Sequence, residues 1–190
     1  MRNLLATAVI ALALVACSKS ESVKSDNLSI VEANGSKIEY KVELAQTEKE
    51  MSKGLMFRDS LGEKTGMLFA LWKIGEPSGM WMKNTKIPLD MLFVDKDGMI
   101  YWIYENAEPN SVKLIVAPYA PYAVLEVNAG DVIKYGIKIG DTIKHSWFEE
   151  ANKSTDEENK VEAVVDEMQP QVSEVEKEPA TETPKVQNLD

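Results

Sequence analysis

Thiol and imidazole chemistry are nearly absent from this chain: Cys17 is its only cysteine and His145 its only histidine. A single thiol can form no internal disulfide, so the fold must be held by its apolar core alone. Any cysteine nucleophile would have to be Cys17, at the far N-terminal end. Zinc or iron sites built from several His and Cys cannot be assembled. A serine–histidine–acid triad would have to use His145, and no Gly-x-Ser-x-Gly elbow supplies its serine. His145 itself reads as a surface strand residue near the end of the domain. Neither a phosphate-cradling P-loop nor a dinucleotide-binding glycine pattern is present, which excludes most cofactor enzymes, and no cofactor or metal is expected. Also missing is any apolar run of the roughly 20 residues needed to cross a bilayer as a helix. No internal repeat is visible.

What is present begins with a signal. Met1-Arg2 forms a short basic head, and Leu4 to Ala16 is an uninterrupted apolar or small run, the layout of a secretion signal rather than of a folded element. The run ends in Leu14-Val15-Ala16-Cys17, which resembles a lipobox, where a diacylglyceryl-modified cysteine is cut by signal peptidase II. Residues 1–16 are therefore read as a lipoprotein signal peptide, Cys17 as the lipidated residue and 17–27 as a polar tether. Ser18 and Lys19, with no Asp directly after the cysteine, resemble the pattern of lipoproteins passed to the outer membrane, facing the periplasm. Acyl chains contribute about 0.8 kcal/mol per buried methylene, so two or three anchor firmly.

The other end changes character. Residues 149–190 carry 13 Asp and Glu against 4 Lys, with Pro170, Pro179 and Pro184 and no aromatic residue. Such composition cannot bury enough apolar surface to fold and reads as an acidic disordered tail. This segment holds nearly all of the chain's net charge of −10. The acidity thus describes the tail rather than a ligand site, and it argues against nucleic acid as a partner.

Residues 28–148 remain as one domain with room for a core. In Lys37–Leu44 the apolar Ile38, Tyr40, Val42 and Leu44 alternate with charged residues, the pattern of a half-buried strand. Asn34-Gly35 before it suggests a hairpin with Leu28–Val31. Thr47 and Glu50 have capping-box spacing for a short helix that Gly54 can close in a left-handed conformation. Short apolar runs follow at 67–72, 80–82, 91–94, 99–104, 113–116 and 122–127, with Asp95-Lys96-Asp97-Gly98 as a hairpin loop. Residues 129–141 suit a brief helical or turn segment, and 143–147 a last strand. Short strands without long amphipathic helices predict a mainly β domain, a compact antiparallel sandwich or barrel with one or two short helices.

Several strings in order sharpen this: Gly54-Leu55-Met56-Phe57-Arg58, Gly66-Met67-Leu68-Phe69, Trp81-Met82-Lys83-Asn84-Thr85, Ile87 to Asp95, Val124 to Gly130 and Gly140-Asp141. Together they resemble the domain-of-unknown-function family 192, over roughly residues 28–148. The resemblance implies a jelly-roll-type β-sandwich or barrel and no known reaction.

Within those strings the polar Arg58, Asn84, Asp90 and Glu126 sit beside strongly apolar neighbours. A carboxylate so placed is paired or poised, because burying a lone charge is costly. One reading is a structural ion-pair network in which Arg58 holds a carboxylate in a bidentate pair. Another is a pocket for a small polar ligand, with Arg58 and Asn84 as donors, Asp90 and Glu126 as acceptors and Trp81 as a stacking platform. A third is hydrolysis of envelope sugars or peptides by Asp90 and Glu126, which needs them roughly 5 to 10 Å apart. Methionine adds a fourth. Met51, Met56, Met67, Met80, Met82, Met91 and Met99 make the domain rich in thioethers, which suit copper(I), although methionine serves more often as core filler. The favoured reading is a monomeric, lipid-anchored, non-catalytic binding or accessory module of the cell envelope, its partner a small polar ligand or an envelope protein.

Overall fold

The computed structural model describes residues 24–73, 75, 79–149 and 151. The signal run, Cys17 and the acidic segment beyond residue 151 lie outside these.

Alternation at positions 37–45 builds β2 (Lys37–Ala45), whose Ile38, Tyr40, Val42 and Leu44 are all buried. Antiparallel to it lies β1 (Ser25–Val31), joined through a turn at Asn34-Gly35. β1 therefore takes in Ser25, Asp26 and Asn27, which the sequence assigned to the tether. Next come α1 (Glu48–Lys53), β3 (Thr65–Phe69), β4 (Leu89–Val94), β5 (Ile100–Ala107), β6 (Ala123–Asn128), α2 (Asp131–Tyr135) and β7 (Thr142–Lys144). Two expected strands are reduced to a single bridge between Met80 and Ile115. The last strand is shorter than expected, because the chain turns after Lys144 to bury Trp147 and Phe148.

All seven strands form one curled sheet in the order β5-β4-β6-β3-β2-β1-β7. The fold is mainly β, as expected, but not purely antiparallel: β2 and β3 run parallel, with Lys41 opposite Thr65 and Ala45 opposite Phe69. Parallel neighbours need a crossover, and α1 with the loop after it supplies one. The two sheet edges meet at one end. There Met99 bridges Thr142, the Ile100 amide donates to the Asp141 carbonyl (2.9 Å), and the Ile143 amide donates to the Gly98 carbonyl (2.7 Å). A Cβ on Gly98 would stand 2.6 Å from the Ile143 oxygen, so this closure requires glycine.

Curling gives the sheet two apolar faces. Inside lie Leu28, Ile30, Tyr40, Val42, Leu68, Leu92, Leu125 and Val127, closed over by Val132, Trp147 and Phe148. His145 belongs to this buried region and not to the surface. It is 5% exposed, edge-on to Trp147, with Nε2 3.4 Å from the Asp26 carboxylate. Outside, Met67, Phe69, Met91, Phe93 and Val124 are covered by Leu55, Leu71, Met82 and Ile115. β3, β4 and β6 are thus buried on both faces, which explains why residues 91–94 and 122–127 read as apolar runs broken only by Glu126. Each such side chain contributes roughly 1.5–3 kcal/mol by burial, and among the described residues no cysteine is present to supplement it.

Candidate functional site

The outer face is roofed by two irregular segments. In the first, the Thr47 side chain accepts from the Glu50 amide (3.2 Å), while Glu50 reaches back to the amides of Gln46 and Thr47 (2.9 and 3.0 Å). That reciprocal cap fixes the short α1, and the amide bonds hold the Glu50 carboxyl below its usual range. Gly54 ends the helix at φ 45, ψ −134, a positive φ but not the left-handed helical conformation expected. A Cβ there would press on the Phe69 ring at 3.2 Å. The second segment crosses from Gly79 to Thr85. It is held by reciprocal Met80–Ile115 bonds (2.9 and 2.8 Å) and by the Met82 amide donating to Ser111 (3.0 Å).

Between roof and sheet lies a cavity of about 190 Å³, lined by Met51, Leu55, Met56, Phe69, Leu71, Met80, Trp81, Thr85 and Glu126, among others. A smaller one, about 160 Å³, shares Leu71, Gly79 and Met80 with it. A cavity of roughly 150 Å³ accommodates a benzene ring, so the first takes a ligand of about that size.

Glu126 is the ionisable group of the sheet at this cavity. In β6 it faces outward with Val124, and the register sets it between Met67 on β3 and Met91 on β4. It is 4% exposed. No hydrogen bond or ion pair reaches its carboxyl among the described residues, and burial alone pushes it up to about 8. At neutral pH it is a protonated acid within a wall of thioethers and aromatic rings. Thr85 is buried at the same cavity, its hydroxyl donating to the Lys83 carbonyl at 3.4 Å.

The other sequence candidates do not gather around it. Asp90 pairs with Val127 rather than Glu126, so its side chain faces the opposite side of the sheet. It is wholly buried, and its two oxygens accept from the amides of Asn106 (2.8 Å), Gly130 (2.9 Å) and Val132 (3.1 Å). That carboxylate closes the bulge where β4 and β5 lose register. It also caps α2, whose own N-cap, Gly130, has no side chain to do so. Asp90 and Glu126 therefore cannot act on one bond, and the carboxylate-pair hydrolase has no site here. Arg58 binds Glu43 at 2.6 Å instead of either candidate acid. The pair is partly exposed and contributes little, about 0–1 kcal/mol. Asn84 is exposed in a left-handed turn (φ 55). Its carbonyl accepts from the Phe57 amide at 2.8 Å, and its Nδ2 lies 3.9 Å from the Met56 sulfur. Trp81 stays 43% exposed at the cavity, with the Lys83 ammonium 5.3 Å from its ring centroid.

Residues 29–145 match the family model DUF192, described as an uncharacterized ACR. The chain belongs to this family. Two crystal structures are similar to the DUF192 domain. A candidate transcription regulator from Sinorhizobium meliloti 1021 is 39% identical with a TM-score of 0.62, over 66% of this chain and 97% of that one. A protein of unknown function from Novosphingobium aromaticivorans is 35% identical, also with a TM-score of 0.62, over 67% of this chain and 89% of that one. No curated protein matches. The whole cavity lies inside the DUF192 match, whereas the acidic segment lies beyond it.

Sequence reading picked out Glu126, Trp81 and Asn84 but not the cavity that Glu126 faces. In sequence, Met51, Met56 and Met80 belong only to a general methionine surplus. Their meeting depends on the crossover and on the Met80–Ile115 bridge, neither of which leaves a local pattern. The legible signal was Glu126 at an even spacing from Val124 in an otherwise apolar strand, which places it on a face that must be covered.

Proposed function

We propose that this is a lipid-anchored cell-envelope protein whose DUF192 domain is a non-catalytic binding module, its small ligand seated in the methionine-lined cavity and engaging Glu126. One observation carries the binding reading: a carboxyl 4% exposed, unpartnered among the described residues, at a cavity large enough for a ligand. A buried polar group without a partner costs about 1–3 kcal/mol, and a ligand that supplies the missing bond recovers it. Among the described residues, no second acid lines the cavity with Glu126.

Thermal-shift screening of the full chain with compact ring-sized amines, amides and alcohols, and with metal ions, tests this. Compounds that raise the melting temperature of the wild type are expected to lose most of that effect in Glu126→Gln. Hits that stabilise both forms equally would place the ligand elsewhere.

Support for the anchor comes from Leu14-Val15-Ala16-Cys17 after the apolar run. In a Gram-negative host, Cys17→Ala is expected to accumulate as a full-length precursor without incorporated palmitate, read by labelling and intact mass. Unchanged processing at residue 16 would remove the anchor from the proposal.

A further inference from the structure

We propose that Met51, Met56 and Met80, together with Glu126, form a binding site for a soft monovalent metal ion, copper(I) or its redox-inert surrogate silver(I). This rests on the reading of the Glu126 cavity as a ligand site and names the ligand's class.

Position sorts the methionines of the described residues. Met67, Met82 and Met91 are 2%, 1% and 0% exposed and fill the outer core, the ordinary use of this side chain. Met99 is exposed at the far edge, where β5 meets β7. Met51, Met56 and Met80 differ from both groups: they are half-buried, and all three line the one cavity. They reach it from three separate places, namely α1, the turn after it and the Met80–Ile115 bridge. A filler role gives no reason for three thioethers from the two roof segments to border open space beside a carboxyl.

Thioether sulfur is a soft donor that selects copper(I) over magnesium, calcium or manganese. Its three rotatable bonds let it close on an ion without moving the backbone. Harder alternatives are excluded by inventory, since no group of three or more His, Cys, Asp and Glu among the described residues is placed to hold a metal. Charge balance also fits: Glu126 is the one carboxyl lining the cavity among the described residues, and exchanging its proton for copper(I) or silver(I) leaves the net charge there unchanged, whereas a divalent ion would add a charge beside Lys53, which lines the same cavity. The Asn84 Nδ2, 3.9 Å from the Met56 sulfur, orients that side chain from outside.

Silver(I) titration of the full chain carrying Cys17→Ser, which removes its one thiol, tests the site with methionines labelled as ¹³C-methyl. One ion per chain is expected to bind, with the methyl signals of residues 51, 56 and 80 shifting far more than those of 67, 82 and 91. Anaerobic copper(I) competition against a chromophoric chelator should show affinity falling by at least roughly 100-fold in Met51→Leu/Met56→Leu/Met80→Leu, because even residues that only orient ligands cost 10–100-fold. If the triple variant fails to fold, Met80→Leu alone is expected to lose at least about tenfold. Full affinity in these variants, or shifts confined to Met99 and Met168, would overturn the metal site. An organic compound that stabilises the wild type through Glu126, with no silver binding, would remove the metal and keep the cavity. Failure of both removes both.

Discussion

Asp90→Asn is expected to lower the unfolding free energy by about 3 kcal/mol, the cost of leaving donors unpaired around a buried, formerly charged acceptor. In a domain of this size that corresponds to a fall in melting temperature of roughly 10 °C. The carboxylate accepts from three amides, those of Asn106, Gly130 and Val132. An amide side chain offers one oxygen, and its NH2 would confront at least one N–H where an acceptor is needed. Three separate connections loosen together: the β4–β5 bulge, the turn after β6 and the start of α2. Hydrogen exchange should therefore show faster opening at all three. Calorimetry giving a melting temperature within 2 °C of wild type would show that the carboxylate does not hold these amides.

Glu126→Gln is expected to act in the opposite direction and to depend on pH. In the unfolded chain a glutamate titrates near 4.5, and in the folded protein Glu126 is raised to about 8. Below pH 4.5 both states carry the proton. Between these values the folded state holds a proton that the unfolded state has released, so stability falls as pH rises through the interval and levels off above 8. The deficit at pH 8 is on the order of several kcal/mol. Gln has nearly the same shape and no charge, so the variant should gain stability relative to wild type from pH 5 to pH 8, with little difference at pH 4. Urea unfolding of both proteins at pH 4, 6 and 8 measures the difference directly, and contributions from Tyr40 and Asp131, both also raised by burial, cancel in the comparison. A constant offset across those pH values would show Glu126 titrating as in an open chain. A residue that lowers stability where it stands is what a binding site requires and a core does not.

Local pattern was enough for the parts of this fold that are local. Ile38, Tyr40, Val42 and Leu44 declared β2, Thr47 and Glu50 declared the helix cap, and Asp95–Gly98 declared the β4–β5 hairpin; each is seen. What escaped is non-local. The parallel β2–β3 pair looks, residue by residue, like any other pair of apolar strands, because direction is set by the crossover and not by composition. Met80–Met82 and Lys113–Val116 read as strands, yet they pair at one residue only; Met82 and Ile115 cover the outer core while Trp81, Leu114 and Val116 stay exposed. Asp90 and Glu126 looked alike in sequence because both follow apolar residues in runs of that kind. Only the β4–β6 register, Asp90 to Val127 and Met91 to Glu126, shows that one faces inward to backbone amides and the other outward to a cavity. Arg58 was assigned the wrong acid for a similar reason: Glu43 sits on the polar side of an alternating strand and gave no sign of neighbouring it.

Joining the sheet edges at Met99 and Thr142 has a consequence for assembly. β7 is the last strand formed and the one that covers β1, the first. Until residues 142–148 have left the ribosome, β1 presents an open row of amides and carbonyls, and the inner core lacks Trp147 and Phe148. A nascent chain of this protein therefore stays unsealed, and competent to be threaded or captured, until nearly the whole domain has been made.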